Sequence, residues 1–325
     1  MIRRSLMMGA AAGLAAPALL RASPALAQGA AAPATLAQAP GFFRQKLGGF
    51  TLTMLHDGSR AVPLQGFVRN APLEEVQRTL AESFLPTDTL RITFTAPLVD
   101  TGRHLVLLDA GNGPQAAGAP VGRLAANMAA AGVEAARVTT VVITHFHPDH
   151  INGLTNAEGG AAFPNAEVFV PEAEWRFWTD EGAASRAPEG MRPLFANVAN
   201  RFRPYQGKIR QAADGAELVP GVRLNAAPGH TPGHSVVHVS DGSEQFLYVA
   251  DVTNRPELLA RRPDFHIVFD MDGAQAEATR RRIFDRVAAE RMRLAGFHFP
   301  FPAIGFMAKE GTGYRFVPSD WAAAI

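Results

Sequence analysis

The sequence predicts an α/β protein in which two halves pack face to face as a sandwich within one domain. Three observations carry that reading. Strand-like runs lie both before and after one histidine-rich stretch, and helix-period segments follow each set. The histidines and aspartates of chemical interest fall at the ends of strand-like runs, so the layered architecture gathers them on one edge. The chain is 47% hydrophobic and 19% charged, which supplies a sizeable core in 325 residues. No internal repeat of short fixed period is visible.

From the N-terminus, Arg3-Arg4-Ser5-Leu6-Met7 leads into a weakly apolar Ala/Gly/Leu stretch that ends at Leu20, and Ala25-Leu26-Ala27 offers a small-x-small cleavage site. Residues 1–27 therefore read as a twin-arginine signal peptide, and the mature protein as periplasmic or secreted. That stretch is short for a membrane span, and nothing later is long and apolar enough for one. Residues 28–40, rich in Ala, Pro and Gln, read as a flexible linker, and residues 41–325 as the folded domain.

Phe50, Leu52 and Met54 alternate with Thr51 and Thr53, as in a strand with one buried face, and His56-Asp57-Gly58 turns the chain. Leu73, Val76, Leu80 and Phe84 recur at helical spacing. Strands are expected over 92–99 and 104–109, then a helix over 121–131 and a strand over 138–144 that enters the histidine-rich stretch. A strand over 167–171 and a helix over 172–180 follow, while 182–204 reads as irregular helix and loop. Strands over 222–227, 235–240 and 245–250 precede a helix that Asp272 and Gln275 open at capping-box spacing. Its arginines, Arg280, Arg281, Arg282, Arg286 and Arg291, read as a solvated face. A last pair of strands surrounds Phe297-His298 and Tyr314-Arg315-Phe316-Val317.

The formal charge of +1, with three arginines in the signal segment, gives no electrostatic case for nucleic acid or anionic membrane as a partner. Cysteine is absent, so disulfides, thiolate ligands and a cysteine nucleophile are excluded, and a metal would be held by His, Asp or Glu.

Thr144-His145-Phe146-His147-Pro148-Asp149-His150 places three imidazoles and a carboxylate within six consecutive positions, a set suited to zinc and other borderline divalent ions. His145 and His147, two apart, can face one ion. Asp149 and His150 follow Pro148, which bends the chain, and can serve a second. Further ligands stand at other strand ends: His230 in Pro228-Gly229-His230-Thr231-Pro232-Gly233-His234, Asp251 after Phe246-Leu247-Tyr248-Val249, and His298 after Leu294-Ala295-Gly296-Phe297.

These motifs together, with Asp109 in Leu107-Leu108-Asp109-Ala110-Gly111, resemble the metallo-β-lactamase superfamily over roughly residues 45–318. The cysteine-free ligand set is similar to that of glyoxalase II, acyl-homoserine lactonases and methyl parathion hydrolase. The run from Phe297 to Gly305 and that from Gly313 to Pro318 look most like the methyl parathion hydrolase branch, as do Gly122-Arg123-Leu124 and Phe163-Pro164-Asn165-Ala166. The resemblance implies an αββα sandwich of two mixed β-sheets flanked by helices. It implies two divalent metal ions, zinc by default: His145, His147 and His230 on one, Asp149, His150 and His298 on the other, and Asp251 bridging. Asp109, and His234 beside it in rank, would sit behind the ligands and orient them.

The expected reaction is attack by a metal-bridging hydroxide on a neutral ester-like bond in a lactone, aryl ester or organophosphate triester. Asp149 and Asp251 are the expected catalytic carboxylates, with Asp149 passing a proton to the leaving group. Phe67, Arg69, Trp175, Trp178, Phe195, Asn254, Ile267 and Phe269 are candidates to line a pocket for a small neutral hydrophobic substrate. A glyoxalase II-like thioesterase, an acyl-homoserine lactonase and an iron-dependent redox member are the alternatives. A homodimer is compatible with the sequence.

Overall fold

The computed structural model describes residues 38–115, 118–322 and 325. The expected signal peptide and residues 28–37 of the expected linker lie outside them. Strands of the first half form one seven-stranded sheet in chain order. They are Phe42–Leu47 (β1), Phe50–Pro63 (β2), Thr89–Asp100 (β3), Leu105–Leu108 (β4), Thr140–Val142 (β5), Glu167–Pro171 (β6) and Ile209–Ala212 (β7). β1 to β4 are antiparallel, with short turns joining β1 to β2 and β3 to β4 and a longer connection containing a helix joining β2 to β3, and longer crossovers make β4 to β7 parallel.

The second sheet also has seven strands in chain order. They are Glu217–Val219 (β8), Val222–Ala226 (β9), Ser235–Asp241 (β10), Glu244–Ala250 (β11), Arg293–Gly296 (β12), Ile304–Glu310 (β13) and Gly313–Pro318 (β14). Only the β11–β12 pair is parallel, because a long helix connects those two strands. Both sheets are therefore mixed. β4 and β5 are buried at every position, as expected of strands covered on both faces.

The helices are Leu73–Ala81 (α1), Leu124–Ala130 (α2), Pro148–Ile151 (α3), Glu172–Trp178 (α4), Glu181–Arg186 (α5), Arg192–Phe202 (α6), Pro256–Leu259 (α7) and Gly273–Ala289 (α8). The Asp272 side chain caps α8 by accepting from Gln275 N at 2.9 Å, as the capping box predicts. Ile283, Phe284 and Val287 turn inward from it.

Two expectations need correction. The region 182–204 is more regular than its composition suggests: α5 and α6 fill most of it, with Phe195, Val198 and Phe202 at helical spacing on the buried side of α6. Pro188 and Pro193 interrupt rather than abolish helix, since Pro193 sits in the first turn of α6, where its missing amide hydrogen costs nothing. The second concerns Arg280. Arg281 and Arg286 pair with acids on the exposed face of α8, but Arg280 is 1% exposed and donates to Val252 O, Pro263 O and Phe265 O.

What the fold does for the site follows from strand direction. β4 and β5 run parallel, as do β11 and β12, so the carboxyl ends of each pair share an edge. Asp109 follows β4, the histidine-rich stretch follows β5, Asp251 follows β11 and His298 follows β12.

Candidate metal centre

Beyond β5 the chain bends at Thr144 and reaches His147, whose extended φ of −65° and ψ of 151° precede α3. Alternation on that segment throws Phe146 into the core, against Phe202 and Trp175, and leaves His145 and His147 on the other side. Pro148 then starts α3, which presents Asp149 and His150 from its first turn. The two left-handed residues at the strand ends have a similar purpose. Asp109 has φ 62° and Ala250, just before Asp251, has φ 45°, so each strand breaks sharply where it delivers its carboxylate.

The ligating atoms converge. His145 Nε2 is 3.2 Å from His147 Nδ1, which is 2.9 Å from His230 Nε2. On the other side, His150 Nε2 lies 3.7 Å and His298 Nε2 3.5 Å from Asp149 Oδ2. Asp251 stands between: its Oδ2 is 3.3 Å from His230 Nε2 and 2.9 Å from His298 Nε2, and its Oδ1 is 3.2 Å from His150 Nε2. The groupings His145–His147–His230, His145–His150–Asp251 and Asp149–His150–His298 each bring their ligating atoms within 4.8 Å of one another.

This donor set fits metal ions on its own geometry. His150 Nδ1 faces Asp109 Oδ2 at 2.8 Å, His230 Nδ1 faces Asp270 Oδ1 at 2.9 Å, and His298 Nδ1 faces Thr93 O at 2.9 Å. Each acceptor fixes a proton on Nδ1, which leaves the Nε2 lone pair aimed at the centre. Lone pairs and carboxylate oxygens this close repel unless a cation lies among them. His150 Nε2 and Asp251 Oδ1 are both buried without a hydrogen bond despite their proximity.

In the absence of metal, protons take up part of that role. Burial opposes charge on His230, but hydrogen bonds with Asp251 and Asp270 raise it to about 9. His150 rises too, despite its burial, through Asp251, Asp109 and Asp149. Burial and the neighbouring His230 push His147 down to about 3. Burial likewise takes His145 well below its ordinary value.

Asp109 holds its expected position behind the ligands. Besides His150 it binds Thr144 N at 2.8 Å and Tyr248 OH at 2.8 Å. His234 also lies behind them: its Nδ1 pairs with Ala227 O at 3.0 Å, and its Nε2 accepts from Asp251 N at 3.2 Å. Three groups escaped the sequence reading. Asp270 orients His230 and is itself braced by buried Arg280 at 3.4 Å. Glu174, fully buried on α4, accepts from Phe146 N, Trp178 Nε1, Thr231 Oγ1 and Gly233 N. A lone acid four residues from Trp178 on the otherwise apolar side of a helix was the available signal.

A family model described as the metallo-beta-lactamase superfamily matches residues 96–296, more than half of the chain. The chain belongs to the metallo-β-lactamase superfamily. An N-acyl homoserine lactonase from Bacillus sp. is 30% identical over 127 residues, 39% of this chain and 43% of that protein. A probable metallo-hydrolase of Mycobacterium tuberculosis is 32% identical over 183 residues, 47% of this chain and 54% of its own length. The chain thus aligns with about half the length of these curated relatives. Among solved structures, AidC, a dizinc quorum-quenching lactonase in complex with a product, has a TM-score of 0.80 and 28% identity over 87% of this chain and 98% of that one. The hydrolase AbOPH has a TM-score of 0.82 and 27% identity over 88% and 100% of the two chains.

In this superfamily member five of the candidate ligands, His147, Asp149, His230, Asp251 and His298, form the floor of a cleft of about 430 Å³, with His145 and His150 buried beneath them. Its walls include Ile92, Val121, Leu194, Phe269, Asn254 and, at the open side, Arg60. Of the eight residues expected to line the substrate pocket, Asn254 and Phe269 line this cleft. The other six do not, each for a local reason. Trp178 is 2% exposed and spends its indole N–H on Glu174 at 2.7 Å. Trp175 packs on Phe146 and Phe202. Phe195 packs on Trp178 and Phe177, while Leu194, one position and about 100° away on the same helix, faces the cleft. Phe67 lies edge-on behind Phe269, Ile267 is 2% exposed, and Arg69 turns its guanidinium to Val268 O.

Proposed function

We propose that the protein hydrolyses uncharged ester-like bonds with two divalent metal ions, zinc by default, and that lactones, aryl esters and organophosphate triesters are its substrate classes. The observation that carries this reading is the convergence of seven potential ligands, five of them on the floor of a cleft that has Ile92, Val121, Leu194 and Phe269 in its walls. The similarity to a dizinc lactonase and to AbOPH supports it. The C-terminal runs after Phe297 and Gly313 support the methyl parathion hydrolase branch. The acyl-homoserine lactonase reading rests on the same floor and on the Bacillus relative.

His145, His147 and His230 would hold one ion, Asp149, His150 and His298 the other, with Asp251 between them. Such ions supply Lewis acidity and make hydroxide available at neutral pH. The chain's own groups do the rest. His234 Nε2 accepts the backbone N–H of Asp251 and so holds the peptide from which that carboxylate projects. Asp149 is the more open carboxylate, 18% exposed on the cleft floor, and is placed to pass a proton to a departing oxygen. The Asn254 amide lines the cleft, where its Nδ2 can donate a hydrogen bond to an ester oxygen. Phe269 and Leu194 exclude water from the side where that group lies.

The test is a panel of lactones, aryl esters, phosphotriesters and glutathione thioesters on metal-quantified protein. Hydrolysis of at least one neutral ester class is expected. Protein with two metals bound that hydrolyses none of them sinks the proposal. Export by the twin-arginine route is part of the same proposal. Retention of the Arg3→Lys, Arg4→Lys double variant in the cytoplasm is the expected result, and normal export of that variant speaks against the route.

A further inference from the structure

A second cavity, of about 730 Å³, lies behind the metal cleft and shares a wall with it. Three pairs of consecutive residues make that wall one backbone thick. They are Asn112 with Gly113, Val121 with Gly122, and Asn152 with Gly153. The first of each pair lines the metal cleft and the second lines the rear cavity. Asp57 pins the wall: its buried carboxylate accepts from Asn112 N at 2.7 Å, Asn112 Nδ2 at 2.8 Å and Leu124 N at 2.7 Å. Asn152 and Gly153 follow directly on α3, the helix that carries Asp149 and His150.

The rest of the lining is small or apolar, with Leu124, Met128, Val133 and Phe163 as its larger side chains and alanines of α2 at its open side. Its interior polar groups are already engaged. Asp57 is satisfied by the wall, and the Thr155 hydroxyl is held by Arg201. Among the described residues the lining contains two carboxylates, Asp57 and Glu134, and no lysine or arginine. It also contains no metal-ligating cluster. A volume of this size lies within the range of small-molecule sites, about 300–1,000 Å³. A ligand entering it would find apolar contact, interior polar groups that are already paired, and no cationic lining side chain to hold an anion.

We propose that the rear cavity is a binding site for an uncharged, largely apolar small molecule, one with a medium-length acyl or alkyl chain, and that it rejects anionic amphiphiles. The occupant is bound and not turned over, because no reactive group faces it. It rests against the reverse side of the segments that line the metal cleft.

Titration of the zinc-loaded protein with the neutral fluorophore N-phenylnaphthylamine tests this without reference to catalysis. Saturable binding is expected. Octanamide should displace the probe, and octanoate should do so at least about tenfold less well. Ala129→Phe and Ala125→Phe fill the cavity from the exposed side of α2, and each should weaken the probe at least about tenfold. Leu194→Trp narrows the metal cleft instead and should leave probe binding unchanged. The proposal is overturned by absence of saturable binding, by octanoate competing as well as octanamide, by parental affinity in either alanine variant with an unchanged melting profile, or by loss of binding in Leu194→Trp alone.

Discussion

Glu174 Oε1 accepts the backbone N–H of Phe146 at 2.9 Å, across 28 residues of sequence, and thereby fixes the peptide between His145 and His147. Its other oxygen does the same for the opposite loop, accepting Thr231 Oγ1 at 2.8 Å and Gly233 N at 2.9 Å beside His230. One buried carboxylate thus sets the separation of the two loops that carry His145, His147 and His230. Gly233 has to be glycine for this, because a Cβ there would run into the backbone of Ala173 and Glu174.

Replacing Glu174 should therefore loosen metal binding as well as stability. In Glu174→Ala the buried donors lose their acceptor, at about 1–3 kcal/mol for each left unpaired. Glu174→Gln keeps the volume but turns one oxygen into a donor, so only one loop stays tied. We expect both variants to melt lower than the parent and to retain less metal after dialysis, alanine more severely. Parental metal content in Glu174→Ala would show that the loops hold their spacing without it.

Metal uptake should release protons. His230, raised to about 9 in the metal-free protein, carries its proton at pH 7 and must lose it before Nε2 can bind an ion. His150 is raised for the same kind of reason. The sign follows: apparent zinc affinity rises with pH until about 9 and levels off above it. Calorimetric titration of zinc into chelator-treated protein, in buffers of different ionisation enthalpy, reads the release directly. A pH-independent affinity between 6 and 9 would contradict it.

Asp270→Asn should weaken the metal held by His230 without removing a ligand. Loss of the carboxylate behind a ligating histidine typically costs about 10–100-fold in affinity or activity. Here Arg280 is also left buried without its carboxylate partner, so a lower melting temperature should accompany the effect. Competition with a chromophoric chelator measures the affinity, and an unchanged constant would assign Asp270 to Arg280 alone.

The ligands were legible because their chemistry is local. His145 to His150 sit in one stretch, and His230, Asp251 and His298 each end a run of strand residues. The groups behind them were less so. Asp270, Arg280 and Glu174 are charges whose burial rests largely on partners 10 to 59 residues away, which no short window of sequence displays; Trp178, four residues from Glu174, is the local exception. The substrate wall failed for a different reason. The resemblance placed the segment of Trp175, Trp178 and Phe195 over the metal site, but helix rotation decides facing, and it turned Leu194 outward to the cleft and Phe195 inward. Ile92 and Arg60 reach the cleft from the long antiparallel pair β2 and β3, whose extension past β1 and β4 could not be read from alternation.

Asn254 should matter for turnover far more than for stability. Its side chain is buried with Oδ1 unpartnered, so the folded protein already bears the cost of desolvating it. Asn254→Ala should leave the melting temperature and metal content close to parental. It should lower kcat/KM on neutral esters by about tenfold, the value of one hydrogen bond made to substrate. A variant that melts several degrees lower with unchanged kinetics would make Asn254 a structural residue.

Asp149 allows the sharpest test of how the leaving group departs. Its carboxylate reaches the floor of the cleft between His150 and His298 and is the more exposed of the two acids there. If it gives a proton to the departing oxygen, its importance depends on how much that oxygen needs one. A nitrophenolate leaves readily without protonation, whereas an aliphatic alkoxide does not. Asp149→Asn retains an oxygen for the metal but cannot take up the proton of the attacking water and hand it to the departing oxygen. The variant, loaded to the parental metal content, should lose about 100-fold or more on alkyl esters and lactones and much less on nitrophenyl esters. A plot of log kcat/KM against leaving-group pKa should then be steeper for Asp149→Asn than for the parent. Equal slopes with both metals retained would remove the proton from Asp149 and leave it a ligand only.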